Sequence, residues 1–318
     1  MVKIAGAGAC HSDLHLMDWP EGQLSWKLPF TLGHENAGWI EQVGAGVSHL
    51  KNGDAVLVYG PWGCGRCRPC RLGRENYCER AAEIAVAGGG LGLDGGMAEY
   101  MLVPAARFLV PIGDLDPVQA APLADAALTP YHAIANSRDR LYPGSIAVVV
   151  GIGGLGQMAI QLLKATTGAR VIAVDTDDHK LESARKLGAD VALRSDAMVG
   201  DAVRKATGGV GADIVLDMVG AESTLALGAK ILRAEGRLVI IGLAMGTLPI
   251  NFFALPYGAE VATSYWGTTT ELMELVALAR TGKIRMDVET FPLDRAPEVY
   301  AQLRAGKIGG RAVVVPKH

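Results

Sequence analysis

Short apolar runs alternate with stretches of helical spacing through the second half of the chain. The runs are rich in β-branched residues, which favour strands, and the stretches between them place apolar residues three and four positions apart, which favours helices. The predicted strands are Ser145–Val150, Ala169–Val174, Val191–Arg194, Ala212–Asp217, Arg237–Ile241 and Glu260–Tyr265, and the predicted helices include Gln157–Lys164, Lys180–Leu187 and Thr224–Ala234. Six strands that alternate with helices predict a parallel, doubly wound α/β sheet.

The first part of the chain has a different pattern, with short strand candidates, glycine-rich turns and few helical stretches. The strand candidates are Val2–Ile4, Ala37–Val43, Ala55–Tyr59 and Ala98–Val103, and Asp114–Pro117 marks a boundary before a predicted helix at Val118–Ala135. After the doubly wound region come one predicted helix, Thr270–Thr281, then the segment Pro292–Arg304 and a last strand, Ala312–Val315. We expect this tail to return to the first domain, which gives a β-rich domain of residues 1–126 and 266–318 and a second domain of residues 127–265.

The composition is that of a globular protein with two domains. The chain has 318 residues, enough for two domains of roughly 150 residues each, and its 50% hydrophobic against 20% charged residues exclude a disordered chain. A net charge of −3 without a block of lysine or arginine predicts no nucleic-acid partner. The longest apolar stretches are too short or too rich in glycine for a membrane span of ~20 residues. Met1–Ala9 lacks the apolar core of a signal peptide, so we expect no membrane partner and a cytoplasmic protein.

A glycine-rich turn, Gly151-Ile-Gly-Gly-Leu-Gly156, lies between the first predicted strand of the sheet and the helix after it. Gly151 suits the tight turn, Gly153 lets the backbone approach a pyrophosphate, and Gly156 packs the helix on the strand. Asp175 ends the next strand, 19 residues beyond the last glycine, where its carboxylate can accept hydrogen bonds from the adenosine ribose. The motif predicts a Rossmann domain that binds NAD rather than NADP; a glycine turn without a ligand is the alternative.

Four of the five cysteines lie close together, spaced Cys64-x2-Cys67-x2-Cys70-x7-Cys78. Four thiolates at this spacing suit a closed tetrahedral zinc site, and the glycines and Pro69 between them let the chain wrap round one ion. No ligand position is left open, so the site is predicted to be structural. An iron–sulfur cluster, which uses the same ligand type, and a pair of disulfides are the alternatives.

A second set of metal-binding residue types is dispersed along the chain. It comprises the stretch Cys10-His-Ser-Asp13 with His15, the stretch Gly33-His-Glu35, and Asp125. A thiolate, an imidazole and a carboxylate together suit a catalytic zinc ion that keeps one position open. The spacing does not establish that they converge, and a lone histidine in a turn more often has a structural role.

The motifs, in this order, resemble those of the zinc-dependent medium-chain alcohol dehydrogenases over nearly the whole chain. Four stretches look particularly like the actinobacterial secondary-alcohol dehydrogenases, namely Tyr59-Gly-Pro-Trp-Gly-Cys-Gly65, Gly73-Arg-Glu-Asn-Tyr-Cys78, Leu128-Thr-Pro-Tyr-His-Ala133 and Tyr265-Trp-Gly267. The resemblance implies a GroES-like catalytic domain beside the six-stranded Rossmann domain. It also implies two zinc ions per chain and the reversible, NAD-linked oxidation of alcohols to ketones or aldehydes.

The resemblance assigns three residues to the catalytic zinc: Cys10, His34 and Asp125. Many relatives have a cysteine in place of the aspartate. Asp13 would orient His34 through the second ring nitrogen of that histidine. Glu35 would lie beside the ligands or replace one of them.

A proton relay is also implied by the resemblance, from Ser12 through the cofactor ribose to His15. A helix N-cap for Ser12 and a surface position for His15 are the alternatives. Further residues expected to contact the cofactor are His11, Thr129, Ile152, Gly154, Leu155, Lys180, Val219, Gly242, Leu243 and Arg311. Candidate walls of a substrate pocket are Trp26, Leu91, Tyr265 and Trp266, with plain core positions as the alternative.

The candidate pocket residues are hydrophobic, so we predict medium-chain secondary alcohols and aryl ketones as substrates, with polyols and threonine as alternatives within the family. Two other functional classes are alternatives. One is a zinc-free quinone reductase, which would lack Cys10, His34 and the cysteine loop. The other is a non-enzymatic binding protein that zinc stabilises and whose nucleotide domain is degenerate. Relatives have a couple of dozen residues before the Cys10 motif, so we expect the first strands of the catalytic domain to be missing. The edge run Glu260–Tyr265 is expected to pair across a two-fold axis in a homodimer or homotetramer.

Overall fold

The computed structural model describes residues 1–20, 22, 26–84 and 87–317. The chain divides into two compact units, one made of Met1–Leu128 with Trp266–His318 and the other of Thr129–Tyr265. The first boundary lies two residues beyond the position expected from the sequence, because Leu128 belongs to the first unit.

The regular elements are as follows in chain order. The strands are β1 (Val2–Gly8), β2 (Glu35–Ile40), β3 (Ala55–Val58), β4 (Gly88–Gly89), β5 (Gly92–Leu93), β6 (Tyr100–Met101), β7 (Leu109–Pro111), β8 (Ile146–Val150), β9 (Arg170–Asp175), β10 (Val191–Arg194), β11 (Ala212–Asp217), β12 (Leu232–Ile240), β13 (Glu260–Thr263), β14 (Val288–Pro292) and β15 (Arg311–Val315). The α-helices are α1 (His11–Asp18), α2 (Arg68–Arg71), α3 (Ala81–Ile84), α4 (Pro117–Ala120), α5 (Leu128–Ala135), α6 (Gly154–Thr166), α7 (Asp178–Lys186), α8 (Val199–Ala206), α9 (Glu222–Ile231), α10 (Thr269–Arg280) and α11 (Ala296–Arg304).

The first unit is built on a seven-stranded mixed sheet with the order β14-β15-β1-β2-β3-β7, in which β6 also pairs with β1. β1 runs antiparallel to both β2 and β15, and its last residue, Gly8, lies opposite Glu35, the first residue of β2. Leu14 of α1 and Val299 of α11 pack in one core with Val314 of β15. The segment after the second unit therefore completes the sheet that the N-terminal strand begins.

The second unit is a six-stranded parallel sheet with the order β10-β9-β8-β11-β12-β13. Its core is formed by β-branched and other aliphatic residues of the central strands, which are buried on both faces, as parallel sheets require. β9 and β10 lie on one side of β8, and β11, β12 and β13 lie on the other. This is the strand order of a doubly wound sheet. The predicted α/β class is confirmed.

One predicted helix is broken in the structure, at the place where a candidate ligand lies. The expected helix Val118–Ala135 is instead α4, a 3₁₀ turn over Ala121–Ala124, and α5. The chain carries prolines at 117, 122 and 130, and a proline inside a helix lacks the N–H that the helix needs. Asp125 follows the 3₁₀ turn with φ −139°, outside any helix.

Other boundaries also differ from the sequence prediction. The expected helix Thr224–Ala234 ends at Ile231, because the backbone adopts an extended conformation at Leu232. Leu232 begins β12 and pairs with Ala212. Several elements of the first unit have no counterpart in the sequence prediction, among them α1, α2, α3, β4, β5, β7 and β14. Within the described ranges, no helix has both the length and the apolar character needed to cross a bilayer.

Candidate functional site

Four buried side chains of the first unit bring their metal-binding atoms together. Cys10, His34, Glu35 and Asp125 each offer one donor atom, and these atoms all lie within 4.8 Å of one another. Cys10 immediately precedes α1, and His34 immediately precedes β2, so the antiparallel pairing of β1 with β2 brings the two together. Asp125 lies directly after the 3₁₀ turn that precedes α5, where prolines interrupt the expected helix.

The distances are those of donors that face a common point. Asp125 Oδ2 lies 3.5 Å from Cys10 Sγ and 3.5 Å from His34 Nε2. All three side chains belong to residues that are less than a tenth exposed. A thiolate, an imidazole and a carboxylate from three parts of the chain are the donor set of a zinc ion with one coordination position left for another ligand. The residues present fit such an ion.

Asp13 contacts both the histidine and the cysteine segment of this cluster. Its Oδ1 lies 2.9 Å from His34 Nδ1, the ring nitrogen that faces away from Asp125. Its Oδ2 accepts hydrogen bonds from the backbone N–H of Cys10 at 3.0 Å and from the hydroxyl of Tyr300 at 2.9 Å. Burial opposes a charge on His34, but the Asp13 carboxylate and the hydrogen bonds to the ring outweigh it and raise the pKa of His34. Burial first, then the Asp13 carboxylate, raises the pKa of Tyr300, so its hydroxyl keeps its proton.

Glu35 is held by a buried ion pair. Arg311 donates to it through Nε at 2.8 Å and also through Nη2, and the backbone N–H of Ala126 donates to its Oε1 at 3.1 Å. A side chain at Gly8 would collide with Glu35 Oε2, so glycine is needed opposite it. Burial raises the pKa of Glu35 to about 7 although Arg311 opposes the shift. The expected cofactor contact of Arg311 stays a prediction; the contact found is with Glu35.

The candidate relay residues lie on α1. Ser12 Oγ is 3.2 Å from His34 Nε2, the nitrogen on the Asp125 side of the ring. His15 lies one turn further along the same helix and is partly exposed, and His11 is exposed at the helix start. The N-cap of α1 is Cys10, so the N-cap alternative for Ser12 is wrong.

The four candidate pocket residues have different surroundings. Trp266 is buried, and its ring lies edge-on to His34 with centroids 5.4 Å apart. Trp26 packs edge-on against Phe30, and Leu91 is buried. Tyr265 is 45% exposed. Trp266 therefore directly contacts the buried cluster through His34.

The four cysteines of the loop form a second cluster. The Sγ atoms of Cys67 and Cys70 are 3.3 Å apart, and those of Cys64 and Cys70 are 4.0 Å apart, while Cys78 Sγ lies 3.9 Å from Cys67 Sγ. All are free cysteines, which excludes the disulfide alternative. The backbone N–H groups of Arg66 and Cys67 lower the pKa of Cys64 to about 6, while burial raises the pKa of Cys70. Four sulfurs at these distances fit a tetrahedral zinc ion.

The glycine-rich turn of the second unit joins β8 to α6. Gly151 has φ +86°, which favours glycine, and a Cβ on Gly156 would lie 2.0 Å from the carbonyl oxygen of Gly151. The position of a Cβ on Gly153 has no atom within 4 Å. The turn therefore leaves open space at Gly153, next to the N-terminus of α6, where a pyrophosphate would lie.

Asp175 ends β9 and reaches back to this turn. Its Oδ2 accepts a hydrogen bond from the N–H of Ile152 at 2.6 Å, and its Oδ1 accepts one from Asp177 at 2.9 Å. Val219 and Gly242 follow β11 and β12, and a Cβ on Gly242 would lie 2.1 Å from the Val219 backbone. The remaining expected cofactor residues lie in the second unit as follows: Thr129 is buried, Gly154 and Leu155 begin α6, Lys180 is in α7, and Leu243 is 52% exposed.

Two family models match the chain. Residues 1–114 match the alcohol dehydrogenase GroES-like domain, and residues 154–281 match the zinc-binding dehydrogenase domain. The NAD-dependent alcohol dehydrogenase of Sulfurisphaera tokodaii is 37% identical, and the alignment covers 99% of this chain and 92% of that protein. The D-arabinose 1-dehydrogenase (NADP(+)) of Saccharolobus solfataricus is 35% identical over 99% of this chain and 90% of its own length. The crystal structure of the alcohol dehydrogenase from Aeropyrum pernix has a TM-score of 0.91 at 39% identity and covers 99% of this chain and 91% of that one.

The chain therefore belongs to the zinc-dependent medium-chain alcohol dehydrogenase family, as the motifs predicted. It is an oxidoreductase with a GroES-like domain and a Rossmann domain, and the cofactors of its family are NAD and zinc. The four-cysteine cluster fits a structural zinc ion. The sequence did not indicate that Tyr300 contacts Asp13 or that Arg311 pairs with Glu35. Each contact joins residues more than 270 positions apart, and nothing local in the sequence marks it.

Proposed function

We propose that this protein catalyses the reversible, NAD-linked oxidation of alcohols to ketones or aldehydes, with hydrophobic secondary alcohols as preferred substrates. The observation that carries the proposal is the convergence of Cys10, His34 and Asp125 in one buried cluster. When both are bound, zinc supplies Lewis acidity and NAD supplies the hydride acceptor. The glycine turn at Gly151–Gly156 and the carboxylate of Asp175 are the residues that would hold NAD.

Ser12 is proposed to move the proton that the alcohol loses. Its hydroxyl lies 3.2 Å from His34 Nε2, so it stands beside the atom of the ring that would bind the metal. A hydroxyl can accept one proton while it donates its own, which suits the inner end of a relay. His15 is on the same side of α1, one turn away, and its partly exposed ring can pass a proton on to solvent.

The preference for hydrophobic substrates is supported by Trp266, whose largely apolar ring lies edge-on to His34. A wall of this kind favours alkyl or aryl groups over hydroxyls, because a polar group buried without a partner loses its hydrogen bonds with water. A sugar substrate is the second candidate, and the relative named as a D-arabinose dehydrogenase favours it.

A substrate panel with the metal content measured on the same sample tests the proposal. We expect NAD reduction with 2-octanol and 1-phenylethanol at higher kcat/KM than with D-arabinose, sorbitol or threonine, in protein that holds two zinc ions per chain. A higher kcat/KM for D-arabinose would overturn the substrate assignment. No NAD reduction with any of these alcohols, in protein that holds both zinc ions, would overturn the activity.

A second copy of the chain is the proposed partner. β13 is the last strand of the parallel sheet, and the segment before it exposes Ile250, Phe252, Phe253 and Tyr257. Phe252 and Phe253 are 75% and 82% exposed, and large apolar side chains grouped on a surface mark contact sites. We expect light scattering to give a dimer or tetramer that Phe253→Glu dissociates, while Met198→Glu, at another exposed apolar residue, does not. A wild-type monomer would contradict this.

The grouped free cysteines support a reducing, cytoplasmic location.

A further inference from the structure

We infer that Tyr300 is a positioning residue for the catalytic metal centre and acts through Asp13. The inference rests on the proposed function, because it concerns the zinc ion that Cys10, His34 and Asp125 would hold. Tyr300 lies on α11, and its hydroxyl donates a 2.9 Å hydrogen bond to Asp13 Oδ2 across a separation of 287 positions in the chain.

Asp13 is the connection between Tyr300 and two of the three proposed ligands. Its side chain is fully buried, and Oδ2 also accepts from the backbone N–H of Cys10 at 3.0 Å. The other oxygen, Oδ1, lies 2.9 Å from His34 Nδ1. A single carboxylate thus fixes the backbone of the cysteine and the ring of the histidine, and the phenol of Tyr300 supplies one of the two hydrogen bonds on Oδ2.

The phenol is itself fixed by packing. Tyr300 belongs to a core that includes Leu14 of α1 and Leu303 of α11, so its oxygen has little freedom to move away from Asp13. Without the hydroxyl, Oδ2 keeps one donor, and the carboxylate can rotate away from His34 and Cys10. Residues that hold metal ligands from outside commonly change metal affinity by about 10- to 100-fold when they are replaced.

Tyr300→Phe tests this, since it keeps the ring in the core and removes only the hydroxyl. Arg304→Ala is the matched control, because Arg304 lies on the same helix and joins α11 to α1 through an exposed ion pair with Asp18. Zinc affinity at each site is measured by competition with a chelator, and cobalt(II) in place of zinc reports ligand geometry through its visible spectrum. We expect Tyr300→Phe to weaken zinc binding at the Cys10 site by about tenfold and to shift the cobalt bands of that site. The four-cysteine site and the Arg304→Ala protein should keep wild-type affinities.

A double-mutant cycle with Asp13→Asn separates positioning from a plain packing role. If Tyr300 acts through Asp13, its replacement should change zinc affinity much less in the Asp13→Asn protein than in the wild type. Equal effects in both backgrounds, or an unchanged affinity in Tyr300→Phe, would overturn the inference while the proposed function stands. A wild-type protein that binds zinc only at the cysteine loop would instead contradict the proposed function.

Discussion

The indole of Trp266 meets the imidazole of His34 edge-on, at an interplanar angle of 73°. Its Nε1 donates a 2.7 Å hydrogen bond to the carbonyl of Ala124, one residue before Asp125. Trp266 also has φ +51°, a left-handed conformation that costs energy for a bulky residue and persists only where the surroundings fix it. One side chain therefore touches the segments of two proposed ligands, so Trp266 supports the metal centre in addition to any contact with substrate.

Trp266→Phe should lower both stability and activity. The replacement keeps an aromatic ring but leaves the Ala124 carbonyl without its donor, which costs roughly 1–3 kcal/mol of unfolding free energy when the group is buried. We expect kcat/KM to fall as well, because the Asp125 turn loses an anchor. Urea unfolding and steady-state kinetics measure the two effects. Trp39→Phe, at a 38% exposed position on β2, is the control and should stay within about 0.5 kcal/mol of wild type. Equal behaviour of the two variants would contradict the assigned role.

The two cysteine-containing sites should lose their zinc independently. Cys70→Ser removes a ligand from the four-sulfur cluster, in which Cys70 Sγ lies within 4.0 Å of both Cys64 Sγ and Cys67 Sγ. Because a bound structural zinc contributes to folding free energy, this variant should hold one zinc per chain and melt at a lower temperature. Cys10→Ser should also hold one zinc per chain and abolish turnover, but keep a melting temperature near that of wild type.

Metal analysis, thermal melting and turnover on the same three proteins check this. A Cys70→Ser protein that melts like wild type would show that the cluster does not stabilise the fold. Wild-type turnover in Cys10→Ser protein that lacks one zinc would show that Cys10 is not part of the catalytic centre.

The sequence predicted the parallel sheet well because its signals are local. A predicted run overlaps each strand from β8 to β13, although β12 begins five residues before its run, and the glycine turn stands directly between a strand and a helix. The cysteine loop is equally local, since all four ligands lie between Cys64 and Cys78. Such elements are found from spacing alone, without knowledge of the rest of the fold.

The buried cluster of the first unit could not be obtained in the same way. Its residues converge because β1 pairs with β2 and because prolines break the helix expected across Asp125. The apolar pattern predicted neither the break in that helix nor the helix α1. Tyr300 and Arg311 reach Asp13 and Glu35 from the far end of the chain, and only the return of β15 to the first sheet brings them there.

Asp175 should determine the choice of NAD over NADP. Both of its oxygens accept hydrogen bonds from backbone N–H groups, from Ile152 and from Asp177, so the carboxylate is fixed beside the glycine turn. A 2′-phosphate at that place would meet a like charge, at a cost of several kcal/mol. We therefore expect Asp175→Asn to raise the NADP-to-NAD ratio of kcat/KM by at least about tenfold.

The control for this prediction is Asp178→Asn, which removes a charge three positions away. Asp178 is 74% exposed and pairs with Arg194 on the surface, so its loss should leave the ratio of kcat/KM unchanged. A wild-type preference for NADP, or an unchanged ratio in Asp175→Asn, would mean that another residue discriminates the cofactors.

Two glycines of the turn should have different roles: Gly153 is expected to matter for NAD binding, and Gly156 for the stability of the fold. A Cβ on Gly153 meets no atom within 4 Å and φ is −80°, so Gly153→Ala should keep the wild-type melting temperature. The added methyl group would fill the space next to the N-terminus of α6, where the pyrophosphate must approach the backbone, so NAD should bind about tenfold more weakly. In Gly156→Ala the Cβ would lie 2.0 Å from the Gly151 carbonyl oxygen, which forces α6 away from β8 and should lower the melting temperature. Calorimetric titration with NAD and thermal melting of both variants decide the matter, and an unchanged NAD affinity in Gly153→Ala would place the pyrophosphate elsewhere.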